Sequence, residues 1–455
     1  MRVVRLQDVG TRLAIAWMAI ALGSCTPKGV VYEPIPASSD YPLPESTIAG
    51  YVTAGDVVSM RRHAWQVFGA MVQPSRANPR LPLWETWYGK SEVKGNATCL
   101  EDTDRGAGGW KRDPGPDPQL AEVRAEAIVR ARALGLEDSA VFDPLEIVRY
   151  NREACLFIKR NQLMQETVLS EWYGKGVRDI AALEGPADNR MVVVKTSWIS
   201  INDGERKILS IWDGKPAVKG ATSQSLKIHN DDRNDDGLRH VCVSTSRARC
   251  LDVAKAAWVP TDAFYHYRSG GSVNILVGLH IATREQSDWV WATFWWHDRR
   301  ESKPYGSDRP QMVRYPWNNY LMNVAYDMDF PVEPDGGPHI AFNPWLEGFQ
   351  ADGLTSNCMA CHRRASWSPN GETCFAFAGQ DGDVNHTARI DVVVRGREAA
   401  TGTYFNEPFE ERLKLAFLWS LRPPPPAGFE DCRNGATPDG RAQPDANTLP
   451  KLHPK

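Results

Sequence analysis

Two apolar runs, Ser272–Thr283 (SVNILVGLHIAT) and Trp289–Asp298 (WVWATFWWHD), constrain the fold more than any other part of this 455-residue chain. Neither run carries the polar period of an amphipathic helix, and neither alternates as a half-exposed strand would. Each therefore reads as a strand buried on both faces, and the polar connector Arg284–Asp288 joins them into a hairpin. Such a hairpin belongs at the centre of a sheet rather than at its edge.

Further strands are available on the N-terminal side. Met191–Val194, Trp198, Ile199 and Ile201, then Ile208–Trp212, are β-rich. Asn202-Asp203-Gly204 between them is a strong hairpin turn. Leu238–Thr245 adds another strand. Helices are expected earlier. Val57, Val58, His63, Ala64, Val67, Phe68 and Met71 follow helical spacing within Val52–Gln73, with Asp56 as N-cap. Pro118–Leu134 opens on a proline and closes at Gly135, and Leu145–Leu169 reads as a third helix, with a break at Asn161 left open. Arg300–Pro344 reads as irregular. Towards the C-terminus a strand is expected over Ala388–Val394 and a helix over Pro408–Leu421, which the prolines at 423–426 terminate.

One short motif carries chemistry. Cys358-Met359-Ala360-Cys361-His362 places two thiols three apart with an imidazole directly after the second. That spacing lets both vinyl groups of a porphyrin be captured as thioethers, with His362 beneath the iron as proximal ligand. A zinc site would need a second Cys/His pair at ligand spacing, which the sequence does not offer. A redox Cys-x-x-Cys would want a surrounding strand–helix pattern, which is not evident here.

The N-terminus bears on the compartment. Arg2, Arg5 and Arg12 precede the apolar run Leu13–Leu22, which is too short to span a bilayer comfortably and reads as an export signal over residues 1–24. Leu22-Gly23-Ser24-Cys25 resembles a lipobox, making Cys25 the expected lipidation site and residues 25–50, rich in Pro and Ser, a flexible tether. Setting aside Cys25, Cys358 and Cys361 from nine cysteines leaves six: Cys99, Cys155, Cys242, Cys250, Cys374 and Cys432. An even remainder suits disulfides in an exported chain, and Cys242–Cys250, flanking a short basic turn, is the easiest pair to join.

The sixth iron position has several candidates. His386 and His339 lead, with Met328 as a thioether alternative; Met312, Met322, His280 and His297 are further donors. Each lone histidine has an ordinary structural reading beside the ligand one, and an open sixth position is the remaining case. Asp232-Arg233-Asn234-Asp235-Asp236-Gly237 matches the first half of a calcium loop, with Asp232, Asn234 and Asp236 as ligands. The twelfth position is Val243 rather than Glu, so a standard EF-hand is excluded and a solvated acidic turn is the preferred reading. Trp295-Trp296-His297 reads as aromatic core in preference to an electron path. Tyr265, His266 and Tyr267 have no partner legible in the sequence. The formal charge of −3 and pI near 6.4 argue against nucleic acid as a partner.

Cys358–His362 together with Leu413–Leu421 (LKLAFLWSL) resembles the two ends of a c-type cytochrome domain. That resemblance implies an apolar last helix packed across the helix entering the motif. The downstream methionine of small cytochromes is missing, since every methionine lies at or before Met359. More broadly, Trp65–Phe68, Trp84–Trp87, Trp289–His297 and Asn357–His362 resemble a group of uncharacterised bacterial cytochrome-c-like exported proteins. Only haem ligation transfers from that likeness, onto Cys358, Cys361 and His362.

The expected fold class is α+β, with an N-terminal helical part, an antiparallel β-rich middle and a C-terminal cytochrome-c-like haem segment. The expected divisions are the signal (1–24), the tether (25–50), a mixed domain (51–338), the haem segment (339–425) and a polar, disordered tail (426–455). The favoured function is electron transfer by a lipid-anchored monohaem cytochrome on the periplasmic side of a bacterial membrane, exchanging electrons with redox partner proteins. One alternative is a haem peroxidase or oxygenase with an open distal site; another is a haem-containing binding or sensor module.

Overall fold

In the computed structural model the doubly apolar hairpin forms two adjacent inner strands of a seven-stranded sheet. The described residues are 41–95, 98–100, 145–183, 190–214, 239–253, 256–325, 341–347, 357–362, 365–369, 373–374, 393–397, 404–408, 411–416, 418 and 421. The chain divides into two units, Met1–Pro34 and Ile35–Lys455, and every described residue belongs to the second.

The described residues begin with helices α1 (Glu45–Ala54) and α2 (Val57–Met71), strand β1 (Tyr88–Gly89) and helix α3 (Lys90–Lys94). Strand β2 (Leu145–Tyr150) and helices α4 (Arg152–Arg160) and α5 (Glu166–Gly174) come next. Strands β3 (Val192–Asn202), β4 (Arg206–Ile211), β5 (Arg239–Ser244), β6 (Ala256–Pro260) and β7 (His266–Ser269) lead to the hairpin, β8 (Ser272–Thr283) and β9 (Val290–Trp296). Strand β10 (Tyr320–Ala325) and the short helices α6 (Pro344–Glu347) and α7 (Cys358–His362) follow. Strands β11 (Ser366–Trp367), β12 (Thr373–Cys374), β13 (Val393–Arg397), β14 (Tyr404–Pro408) and β15 (Leu413–Lys414) complete the chain.

The main sheet runs β1-β2-β3-β8-β9-β10, with every pair antiparallel. Strand β8 pairs with β3 along its whole length and shares its other side between β7 (from Ser272 to Ile275) and β9 (from Gly278 to Thr283). With hydrogen-bonded neighbours on both sides and packing on both faces, β8 and β9 have no exposed flank. That is why their sequences lack alternation. The mixed helix and antiparallel-rich sheet composition expected from the sequence is present.

One face of the sheet receives α2. The Asp56 carboxylate caps this helix, accepting from the Ser59 backbone N–H at 3.0 Å, as its sequence position predicts. Trp65 and Phe68 from its buried side meet Phe294, the latter ring stacked at 4.3 Å. The buried Glu285 carboxylate fastens this layer. It accepts from Leu43 N (2.7 Å) and Thr283 Oγ1 (2.6 Å) and lies 2.8 Å from His63 Nε2.

The opposite face builds a second core from Val193, Ala282, Trp291 and Ala325 together with Cys358, Met359, Trp367, Leu413 and Leu415. A separate three-stranded sheet, β4-β5-β6, joins β4 and β5 antiparallel and β5 and β6 parallel. The expected Cys242–Cys250 disulfide staples it, and Cys99–Cys155 is a second disulfide.

Several expectations are corrected. Leu145–Leu169 is not one helix: Leu145–Tyr150 pairs between β1 and β3 as a strand. Asn151 enforces the change, its side-chain oxygen accepting from both Ala154 N and Val192 N at 3.0 Å, so it caps α4 while tying the chain to β3. The chain also breaks at Asn161, with Gln162 at φ 52°. Asn202-Asp203-Gly204 turns the chain, with Glu205 N donating to Asn202 O (3.0 Å), but no hairpin forms. Strand β4 instead satisfies its ladder against β5 in the other sheet. The interval Arg300–Pro344 contains β10, six buried residues alongside β9.

Pro408–Leu421 is not a helix. Leu413 and Leu415 are buried while Lys414 is half-buried, the period of a strand, and Leu413–Lys414 pairs with Ser366–Trp367. Backbone bonds from Lys414 N to Arg178 O (2.9 Å) and Leu415 N to Ala365 O (2.8 Å) hold it extended. The apolar last helix that a cytochrome c likeness implies is thus replaced by a strand. Glu45–Gly50, expected in the tether, lie in α1, where Ile48 is fully buried. The signal, Pro118–Leu134, residues 388–392, Cys432 and the tail lie outside the described residues.

Candidate functional site

Sheet register builds the site. On the face that receives Cys358–His362, strands β2, β3, β8, β9 and β10 place their residues side by side in three rows. The first row is Tyr150, Val193, Ala282, Trp291 and Ala325, all apolar or aromatic. The second is Val148, Lys195, His280, Thr293 and Asn323. The third is Glu146, Ser197, Gly278, Trp295 and Leu321.

Helix α7 belongs to the first row. Cys358 is buried in the core that this row shares, its Sγ 3.9 Å from the Ala341 carbonyl oxygen. The half-buried His362 ring lies against Trp291, centroids 3.9 Å apart and planes inclined by 33°. One face of the imidazole is therefore packed against indole. Trp291 is itself held by an N–H donation from Nε1 to Asp288 O (3.1 Å). Cys361 lies on the same helical turn; its side chain is outside the described residues.

The chain segment from Ala341 to Leu346 caps the third row. Asn343 Nδ2 donates to Thr293 Oγ1 (3.0 Å) and Phe294 O (2.8 Å), and Ser197 Oγ donates to Trp345 O (2.8 Å). This approach requires Gly278, because a Cβ there would stand 2.8 Å from Asn343 Oδ1.

Between these two covers lies the polar second row. His280, Thr293 and Asn323 are buried, and Lys195 marks the more open end, its Nζ 2.6 Å from the buried Glu146 carboxylate. The pKa of His280 lies well below the usual 6.5, first because burial penalises the imidazolium and then because Lys195 and His362 add positive charge nearby. His280 is accordingly neutral at pH 7, the form in which imidazole binds metals. Burying Glu, His, Thr and Asn together on a sheet, beside a half-buried Lys, carries a desolvation cost that a purely apolar core would avoid. Such clusters mark functional sites more often than packing sites.

Of the residues expected at the site, Cys358 and His362 open and close helix α7. His386, His339, Met328, Asp232, Asn234, Asp236 and Cys25 lie outside the described residues. His297 is committed elsewhere: Nε2 meets Asp213 at 2.8 Å and Nδ1 accepts from Arg299 N at 2.8 Å. Met322 pairs with Phe294 on the α2 face, and Met312 packs at Gly69 of α2. His266 Nδ1 turns back to Phe264 O (3.0 Å), and Tyr265 stacks on Trp317 at 4.5 Å. Trp295 and Trp296 are core residues, donating to Trp212 O and Ala263 O. Among the described residues, Trp291 is the tryptophan whose ring meets His362.

Lys195, Glu146, Thr293 and Asn343 were not singled out from the sequence. The signal was faint: Lys195, His280 and Thr293 are polar residues set inside otherwise apolar strands. Comparison with protein-family models, with curated proteins and with solved structures finds no match for this chain. Its chemistry must be read from the donors themselves. Among the described residues no three His, Cys, Asp or Glu side chains converge to hold a free metal ion. What they offer is a buried thiol and a half-buried imidazole one helical turn apart, beside an aromatic and aliphatic core. Those donor types, a thiol and an imidazole, are the ones that would hold a haem by thioether and imidazole.

Proposed function

We propose that this chain is an exported monohaem c-type cytochrome working in electron transfer, with haem covalently held by Cys358 and Cys361 and His362 as proximal ligand. The observation that carries this reading is Cys358 and His362 on one helical turn, docked into a buried core with Trp291 stacked on the imidazole. When bound, haem supplies a one-electron ferric/ferrous couple. The protein's part is to fix the His362 ring through Trp291, to surround Cys358 with apolar side chains, and to exclude water. A low-dielectric surround tunes the potential of such a site.

Export has its own support. The Cys99–Cys155 and Cys242–Cys250 disulfides suit an oxidising compartment. We place the protein on the periplasmic side of a bacterial membrane, anchored by lipid on Cys25 and serving redox partner proteins. No helix among the described residues is long and apolar enough to cross a membrane.

The test is expression with c-type haem maturation, followed by haem staining of a denaturing gel. The wild-type chain should carry a stained band, and Cys358→Ala with Cys361→Ala should lose it. A band that survives the double substitution refutes covalent attachment at this motif. The buried polar row beside His362 favours a second reading, a haem peroxidase or oxygenase using those groups at an open distal position. A ferric high-spin spectrum altered by peroxide or carbon monoxide would select it.

A further inference from the structure

We propose that the groove formed by the segment joining β9 to β10 binds a small organic anion, one that carries a hydroxyl group beside its carboxylate or phosphate. The groove lies on the α2 side of the sheet, across from Cys358–His362. The assignment therefore stands independently of the haem reading.

The space is of ligand size. It holds about 510 Å³, and small-molecule sites span roughly 300–1,000 Å³. Arg300, Lys303 and Arg309 line it with the polar side chains of Ser307, Gln311 and Asn318.

Charge selects the class of ligand. Both carboxylates in the lining are already shared. Asp308 lies 3.1 Å from Arg61 and 3.5 Å from Arg62, and Glu301 lies 3.4 Å from Arg300 and 3.6 Å from Arg309. With Lys303, these arginines set five cations against two carboxylates, although the whole chain has a formal charge of −3.

Arg309 is the buried member of this set. Its side chain is 7% exposed, whereas the carboxylate beside it, Glu301, is 77% exposed. Nη2 donates to Arg300 O (2.6 Å) and Tyr320 O (2.9 Å), while Nε has no acceptor among the described residues. A buried guanidinium held mainly by carbonyls keeps much of its desolvation cost, which an anion in the groove would offset. Asn318 adds a second requirement. Its side-chain oxygen is buried and receives no donor among the described residues, a need that a ligand hydroxyl meets.

The walls are held in place from two sides. Trp65 Nε1 of α2 donates to Ser307 O (2.9 Å), and the Arg309 guanidinium stands 5.0 Å from the centroid of the same ring. Met322 N of β10 donates to Tyr305 O (3.0 Å). Gly306 turns so tightly that a Cβ there would stand 2.3 Å from Arg300 O. Such a frame limits the order lost when a ligand binds.

The experiment is calorimetric titration of the full-length protein at low salt. The probes are glucuronate and glucose 6-phosphate, their hydroxyl-poor counterparts acetate and inorganic phosphate, and glucose as the neutral control. At least one of the two sugar anions should bind at one site per chain, more tightly than its counterpart, and glucose should give no binding heat. The tighter of the two sugar anions identifies the ligand as carboxylate or phosphate. Lys303→Glu, at an exposed position, should weaken that anion about tenfold or more while its circular dichroism matches wild type. Arg309→Lys should weaken it as well, but this residue also holds two carbonyls, so Lys303→Glu decides. Asn318→Ala should remove the preference for the sugar anion over its counterpart. If neither sugar anion binds, if glucose binds as tightly, or if folded Lys303→Glu keeps wild-type affinity, the anion site is overturned. Equal affinity for acetate or inorganic phosphate, or an unchanged preference in Asn318→Ala, overturns the hydroxyl requirement.

Discussion

Trp291 joins the sheet to the motif, so its replacement tests both at once. The side chain is 3% exposed, and a tryptophan buries about 150–250 Å². At about 25 cal/mol per Å² that is about 4–6 kcal/mol of gross transfer energy. Cores relax around part of the resulting cavity, and measured Trp→Ala losses are about 3–5 kcal/mol. Trp291→Phe should cost less, about 1–2 kcal/mol, because the ring remains against His362 and the principal loss is the hydrogen bond to Asp288 O. Guanidinium unfolding followed by far-ultraviolet circular dichroism, on wild type and both variants, gives the order. Under the proposed haem reading, the visible spectrum of the loaded protein should also change with Trp291→Ala, as His362 gains rotational freedom, and stay as in wild type with Trp291→Phe. If Trp291→Ala loses no more than the roughly 0.5 kcal/mol of an ordinary surface substitution, the indole is not packed between sheet and motif as described.

Three further outcomes are expected. Cys99–Cys155 closes a loop with a sequence separation of 56 and Cys242–Cys250 one of 8. Chain entropy then makes the first worth about 4 kcal/mol and the second about 2.5 kcal/mol, so Cys155→Ser should lower the denaturation midpoint further than Cys250→Ser. Glu285→Ala removes the acceptor of the Leu43 and Thr283 bonds and the partner of His63. It should cost about 3–5 kcal/mol and raise amide exchange at Leu43 first. Burial holds the His297 pKa below 6.5, outweighing the opposing pull of Asp213 and Asp298. The unfolded state therefore binds more protons below pH 6.5. Stability should be complete above that value and fall as the pH drops towards the depressed folded pKa. His297→Asn should flatten that slope in denaturation midpoints measured at successive pH values, and an unchanged slope would exclude His297 as its source.

Different parts of the fold were legible to different degrees. Ser272–Thr283 and Trp289–Asp298 announced inner strands because burial on both faces removes any need for polar alternation. Val57–Met71 and its Asp56 cap were legible because the cap and the amphipathic period are both local. Leu145–Tyr150 was not, since Leu-Glu-Ile-Val-Arg-Tyr suits either period and the choice lay with its partners β1 and β3. The same holds for Leu413–Leu415, which Ser366–Trp367 draws out as a strand. Asn202-Asp203-Gly204 gave the turn correctly but could not say that the next strand would join another sheet.

At the site, local chemistry made Cys358, Cys361 and His362 visible, since covalent attachment needs those residue types at that spacing. The surroundings were invisible for a different reason. Lys195, His280 and Thr293 come from three strands whose members lie up to about a hundred positions apart in sequence, and only strand register sets them in one row. Trp291 is one tryptophan of seventeen, and nothing in the order of residues marks it as the ring that meets His362.

The sequence by itself therefore determined the motif and the inner hairpin, both of which depend on spacing or on composition over a short stretch. Only the tertiary structure decided which face of the sheet the motif meets, that a polar row runs on that face, and which indole the His362 ring meets. Those are properties of strand pairing, where shifting β8 by a single residue would send His280 to the opposite face, away from Lys195 and Thr293, while leaving every local pattern unchanged.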